Sequence, residues 1–117
     1  MTNYVTGKSI VITGAGGGFG KLTSEKAAAL GAKVTCCDID EAAIEASVSA
    51  INAAGGTAQA VRADVTDLKD MKAAVAAAKA AYGSVDVMIN NAGVMPLGLF
   101  ADHEAAMEKW YRCIDIN

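Results

Sequence analysis

Thr13-Gly-Ala-Gly-Gly-Gly-Phe-Gly20 lies between a short β-branched run, Ser9-Ile-Val-Ile-Thr13, and a stretch of helical character from Phe19 to Leu30. A strand that turns through glycines into a helix is suited to hold a diphosphate. Gly14 permits a sharp turn off the strand. The missing Cβ atoms around Gly16, Gly17 and Gly18 let backbone N–H groups approach a pyrophosphate, and Gly20 lets the helix pack tightly on the sheet. The helix start at Phe19 adds unsatisfied N–H groups and roughly half a positive charge. Glycine spacing alone is a weak signal. The strand before it, the helix after it and an acid at the end of the next strand make the combination specific.

That acid is Asp38, which closes the apolar strand Lys33-Val-Thr-Cys-Cys-Asp38, 18 residues after Gly20. A carboxylate there can accept hydrogen bonds from both adenosine ribose hydroxyls and would repel a 2′-phosphate. Gly17 and Ile39 supply no Arg or Lys to attract one, so NAD is expected over NADP. Asp38 and Ile39 form the adenosine end of the expected site.

The rest of the chain repeats the alternation. Asp40 is placed to cap a helix in which Ile44, Val48 and Ile51 share one face, and Gly55-Gly56 ends it. Ala58 to Ala63 reads as a third strand, ending at Asp64. Asp67 caps a helix with Leu68, Met71, Val75 and Ala78 as its apolar stripe, stopped at Gly83. Val85 to Ile89 reads as a fourth strand and Asn90-Asn-Ala-Gly93 as a turn. Met107, Trp110 and Ile114 then recur at helical spacing. Strands separated by helices imply right-handed crossovers and a parallel sheet with helices on both faces.

Composition narrows the field. The chain has 117 residues, 53% hydrophobic and 20% charged, with a net charge of −3. It is long enough for one domain with a core and too apolar for disorder. Mild acidity argues against nucleic acid, which calls for clustered Lys and Arg. No run reaches the roughly 18 apolar residues of a membrane span, and the N-terminus lacks a secretory pattern. A cytoplasmic protein is expected. Its 3 cysteines and single histidine, His103, make neither a disulfide framework nor a metal site. Cys36 and Cys37 should point to opposite faces of their strand, as buried thiols, and Cys113 lies far away.

These residues resemble the short-chain dehydrogenase/reductase family. Its Thr-Gly-x-x-x-Gly-x-Gly motif matches Thr13, Gly14, Gly18 and Gly20, with Phe19 where a smaller aliphatic is commoner, and its acid after the second strand matches Asp38. The family's Asp-Val pair flanking the adenine matches Asp64-Val65. Its Asn-Asn-Ala-Gly motif matches Asn90 to Gly93, placing Asn91, Ala92 and Gly93 near the nicotinamide-side ribose. A catalytic asparagine on the following helix matches Asn117. The resemblance runs from Gly7 to Asn117 and implies a Rossmann-like α/β fold: a partial doubly wound parallel sheet of about four strands in the order 3-2-1-4.

It also implies what these residues leave out. Family members are about twice as long and carry a catalytic Ser and a Tyr-x-x-x-Lys pair beyond the helix of Asn117. Tyr4-Val-Thr-Gly-Lys8 has that spacing but precedes the first strand, and Tyr82 and Tyr111 have Asp86 and Asp115 four residues on. Residues 1–117 are therefore expected to be the N-terminal NAD-binding part of an alcohol/ketone oxidoreductase, inactive alone. The nearly all-apolar fourth strand would be an edge that pairs with a complementing C-terminal chain or another copy. Residues Val94 to Phe100 hint at a nonpolar alcohol or ketone, although loop packing explains them equally. A stand-alone dinucleotide-binding module and an edge-driven assembly are the competing readings.

Overall fold

The computed structural model describes residues 4–93. Within them β1 (Ser9–Thr13), α1 (Gly18–Ala29), β2 (Lys33–Asp38), α2 (Glu41–Ala53), β3 (Thr57–Arg62), α3 (Leu68–Tyr82) and β4 (Val87–Ile89) alternate as expected. The sheet is parallel, in the order β3-β2-β1-β4. The expected final helix, with Met107, Trp110 and Ile114, lies outside the described residues, as do His103, Cys113 and the stretch from Val94 to Phe100.

β1 is buried along its whole length because strands flank it on both sides and helices cover both faces. On one face Ile10, Ile12, Val34 and Cys36 pack with Ala27 and Ala28 of α1 and Ile44 and Ile51 of α2. On the other, Val11 and Cys37 pack with Ala63 and with Ala74 and Ala78 of α3. The two adjacent cysteines thus enter opposite cores, and burial pushes the Cys37 thiol up to about 12. Each fully buried aliphatic side chain contributes about 1.5–3 kcal/mol relative to exposure. The alanines let the helix backbones sit close to the sheet.

Helix boundaries follow the expected chemistry. The Asp40 and Asp67 side chains accept from the backbone N–H groups of Ala43 and Lys69, capping α2 and α3. Gly83 ends α3 in the left-handed region at φ 84°, which a residue with a Cβ seldom adopts.

The structure differs from these expectations at three places. Leu68, expected on the buried stripe of α3, is 68% exposed, whereas Ala74 is fully buried. Leu68 is the first helical residue after the cap, and the stripe that meets the sheet runs through Met71, Ala74 and Ala78. β3 starts at Thr57 and ends at Arg62, although the Ala63 N–H still reaches the Asp38 carbonyl at 3.0 Å. β4 starts at Val87 rather than Val85, because a side chain intervenes in the ladder. The Asp86 N–H donates to the Ser9 carbonyl at 2.9 Å, while the Ser9 N–H is taken by Asp86 Oδ2 at 2.8 Å. Val85 packs into the α3-side core instead.

β4 pairs only with β1 among the described residues, leaving Val87 and Met88 more than a third exposed. No helix among the described residues is long and apolar enough to cross a membrane.

Candidate functional site

The carboxyl ends of β1, β2 and β4 meet at one rim of the sheet, the place where open parallel sheets bind ligands. Thr13 leads out of β1 into Gly14, whose φ of 67° makes the turn. A Cβ at Gly14 would lie 2.9 Å from Asn91 Nδ2 and 3.0 Å from Ala92 Cα, so glycine is required here by conformation and by space. Gly20 is the second close approach: a Cβ there would run into the Gly14 carbonyl oxygen and lie 2.6 Å from Asn91 Nδ2. The helix start and the strand end can therefore touch only through bare backbone.

Ala15, between them, is buried and anchored from two sides. Its N–H donates to the Cys37 carbonyl at 3.0 Å, and its carbonyl accepts from the Ser47 hydroxyl at 3.2 Å. Gly17 and Gly18 face open space, and Phe19 is 81% exposed. α1 begins after Gly17 with no side-chain cap and no acidic residue in its first turn, whereas α2 and α3 have both. Its N–H groups and the positive end of its dipole are thus left for an anion.

Asp38 stands beside this bend. Its Oδ2 accepts from the Gly16 N–H at 3.0 Å and its Oδ1 from the Asp40 N–H at 3.1 Å. Ile39 is half exposed next to it. The expectation that no basic residue stands near Asp38 needs correction: Arg62 pairs with Asp38 in the register of β2 and β3. The Arg62 guanidinium lies 3.7 Å from the Asp70 carboxylate. Sequence distance hid it, since adjacency across a sheet follows register.

The Asn91–Gly93 turn comes to the same rim. The Thr13 hydroxyl accepts from the N–H groups of Asn91 and Ala92, each at 3.1 Å, and the Asn91 side chain donates to the Gly14 carbonyl at 3.4 Å. Gly93 is exposed beyond them. Asp64 and Val65 follow β3. Asp64 Oδ1 accepts from the N–H and hydroxyl of Thr66, at 2.9 and 2.7 Å, and the Asp64 N–H donates to Asp70 Oδ2 at 3.0 Å. Val65 is half-buried. Asn117, the expected catalytic asparagine, lies outside the described residues.

Two contributors were not singled out by sequence as site residues: the Thr13 hydroxyl, buried at the end of β1, and Ser47. A signal for Ser47 exists, since it lies on the buried face of α2 between Ile44 and Ile51, where a polar residue needs a partner. The arrangement can bind an anion at the α1 start and a diol at Asp38.

The comparisons with known proteins agree with this geometry. The profile of the short chain dehydrogenase family matches residues 8–117. A 2,5-dichloro-2,5-cyclohexadiene-1,4-diol dehydrogenase from Sphingobium indicum is 37% identical over 117 residues, covering 100% of this chain and 46% of that protein. A short chain dehydrogenase/reductase from Burkholderia phymatum, solved in complex with NAD, superposes with a TM-score of 0.90 at 37% identity, over 98% of this chain and 40% of that one. A metagenomic short-chain oxidoreductase solved in complex with NADP gives a TM-score of 0.73 at 35% identity, over 79% of this chain and 42% of that one. The chain spans about half the length of the curated relatives it matches.

Proposed function

This chain belongs to the short chain dehydrogenase family, and from that premise we propose that it is the NAD-binding portion of an oxidoreductase interconverting an alcohol with a ketone or aldehyde. The observation that carries the reading is the juxtaposition of the uncapped α1 start with Asp38, joined by the 3.0 Å bond from the Gly16 N–H. Backbone N–H groups of Gly17, Gly18 and Phe19 hold the diphosphate, that of Gly16 being given to Asp38, with Gly14 and Gly20 keeping strand and helix close enough to form the cradle. Asp38 accepts from the adenosine ribose, with Ile39 beside it. Asp64 and Val65 flank the adenine. Asn91, Ala92 and Gly93 line the nicotinamide-side ribose, held in place by Thr13.

The bound nicotinamide supplies hydride transfer. The chain's own residues bind and orient it. Proton transfer to the substrate oxygen falls to the Ser and the Tyr-x-x-x-Lys of the family, for which these 117 residues offer only the misplaced Tyr4 and Lys8. Asn117 joins that group, and the 117 residues alone bind cofactor without turnover. The remaining segment, or a second copy, is the expected partner along β4, and the cytoplasm the expected location. NAD is favoured because the Asp38 carboxylate repels a 2′-phosphate, whereas Arg62, beside Asp38 in register, is engaged with Asp70.

Calorimetric titration with NAD and NADP tests this. Asp38→Ala should weaken NAD more than NADP. Equal losses would remove the ribose role, and no binding of either by the unaltered chain would remove the proposal.

A further inference from the structure

Gly16 is not required by its backbone conformation. Its φ is not among the positive values that Gly14 and Gly18 adopt, so an alanine could follow the same chain path. What excludes a side chain is its surroundings. A Cβ on Gly16 would lie 2.8 Å from Asp38 Oδ2, 3.2 Å from Asp38 Cγ and 2.9 Å from the Ala43 methyl. The cavity a methyl would need is filled by the carboxylate itself.

The same two residues are hydrogen-bonded. Gly16 donates its N–H to Asp38 Oδ2 at 3.0 Å, while the Asp40 N–H donates to Oδ1 at 3.1 Å. Each carboxylate oxygen is thereby held by one backbone N–H, and the plane of the group is fixed before any ligand arrives. Bonds from N–H groups to a carboxylate are among the stronger neutral-donor contacts, and orientation of a planar acceptor decides how well it receives a diol. Ala43 closes the third side from the first turn of α2.

We propose that Gly16 is a positioning residue for cofactor choice: the absence of a side chain there seats the Asp38 carboxylate in the one orientation that receives the adenosine ribose and faces a 2′-phosphate. The inference rests on the NAD reading above and adds a residue that acts through Asp38. A methyl at position 16 displaces either the carboxylate or the loop, and the Gly16–Asp38 bond is lost in both cases. Loss of that bond costs NAD recognition while easing the repulsion of NADP, so the ratio of the two affinities is the diagnostic quantity.

The test is titration of NAD and NADP into the unaltered chain, Gly16→Ala, Asp38→Asn and the double variant, with melting curves to verify folding. Gly16→Ala should weaken NAD by about tenfold, the effect of one hydrogen bond to a charged group, and leave NADP within about twofold. Asp38→Asn should then cost less NAD affinity in the Gly16→Ala background than alone. If Gly16→Ala weakens both dinucleotides equally, or the two losses add, Gly16 does not act through Asp38, and only this inference falls. If the unaltered chain binds NAD with no preference, or binds neither, the underlying reading falls with it. Should Gly16→Ala not fold, amide exchange decides: the Gly16 N–H of the unaltered chain should be protected, and Asp38→Ala should remove both that protection and the preference for NAD over NADP. Protection unchanged in Asp38→Ala overturns the proposal.

Discussion

Thr13 Oγ1 accepts the backbone N–H of Asn91 at 3.1 Å, across 78 residues of sequence. The contact joins the end of β1 to the turn after β4, so the glycine bend and the Asn-Ala-Gly turn are held as one surface. Because Thr13 is buried, water cannot replace its hydroxyl if it is removed. Thr13→Val, close in shape, should destabilise the chain by about 1–3 kcal/mol, since the Ala92 N–H loses its acceptor. Thr13→Ser should retain most of the stability. Urea unfolding of the three proteins checks this, and equal midpoints for Val and Ser would contradict it.

Gly20 meets the Gly14 carbonyl and the Asn91 side chain with no room for a methyl. Gly20→Ala should cost about 1–3 kcal/mol of stability, the usual range for overpacking. It should also weaken dinucleotide binding, because the bend opens where the diphosphate is held. A melting temperature and an affinity both unchanged would mean that the two elements approach less closely than described.

Asp86 offers a pH dependence with a definite sign. The Ser9 N–H bond holds its carboxyl below the ordinary carboxylate value, with smaller help from Ser84 and Lys8, against opposing desolvation. The folded value is the lower one, so the unfolded chain takes up the proton first as pH falls. The stabilisation is complete above the unfolded value of about 3.9 and is lost as pH drops through the folded value. The stability difference between the unaltered chain and Asp86→Asn should therefore shrink on acidification across that window. Denaturant midpoints at pH 6 and at successively lower pH measure it; a difference that stays constant would contradict the assignment.

The elements that read clearly from sequence are those whose cause is local. Asp40 and Asp67 announce their helices because a cap is a contact within one turn, and Gly83 ends α3 through its own backbone. The strand order followed from a resemblance, and the structure has the same order. Features set by distant contacts were hidden. The start of β4 depends on Asp86 acting as a substitute backbone acceptor for Ser9, 77 residues away. Leu68, expected to be buried, is exposed because helix periodicity gives a face but not the point along the helix where the sheet begins. Arg62 stands beside Asp38 in the sheet only through the register of β2 and β3. The glycines of the bend were legible as a group. The turn at Gly14 and the close approach at Gly20 were legible too, whereas the task of Gly16, which makes room for a carboxylate, was not.

The central claim is that backbone N–H groups at the start of α1 hold the diphosphate and Asp38 holds the adjoining sugar. Amide resonances of the isotopically labelled chain, followed during titration with NAD, test it most directly. The largest shifts should fall on Gly16 to Gly20 and on Asp38 and Ile39, saturating together with one affinity. Saturable shifts confined to other parts of the chain, or none at all, would contradict the account.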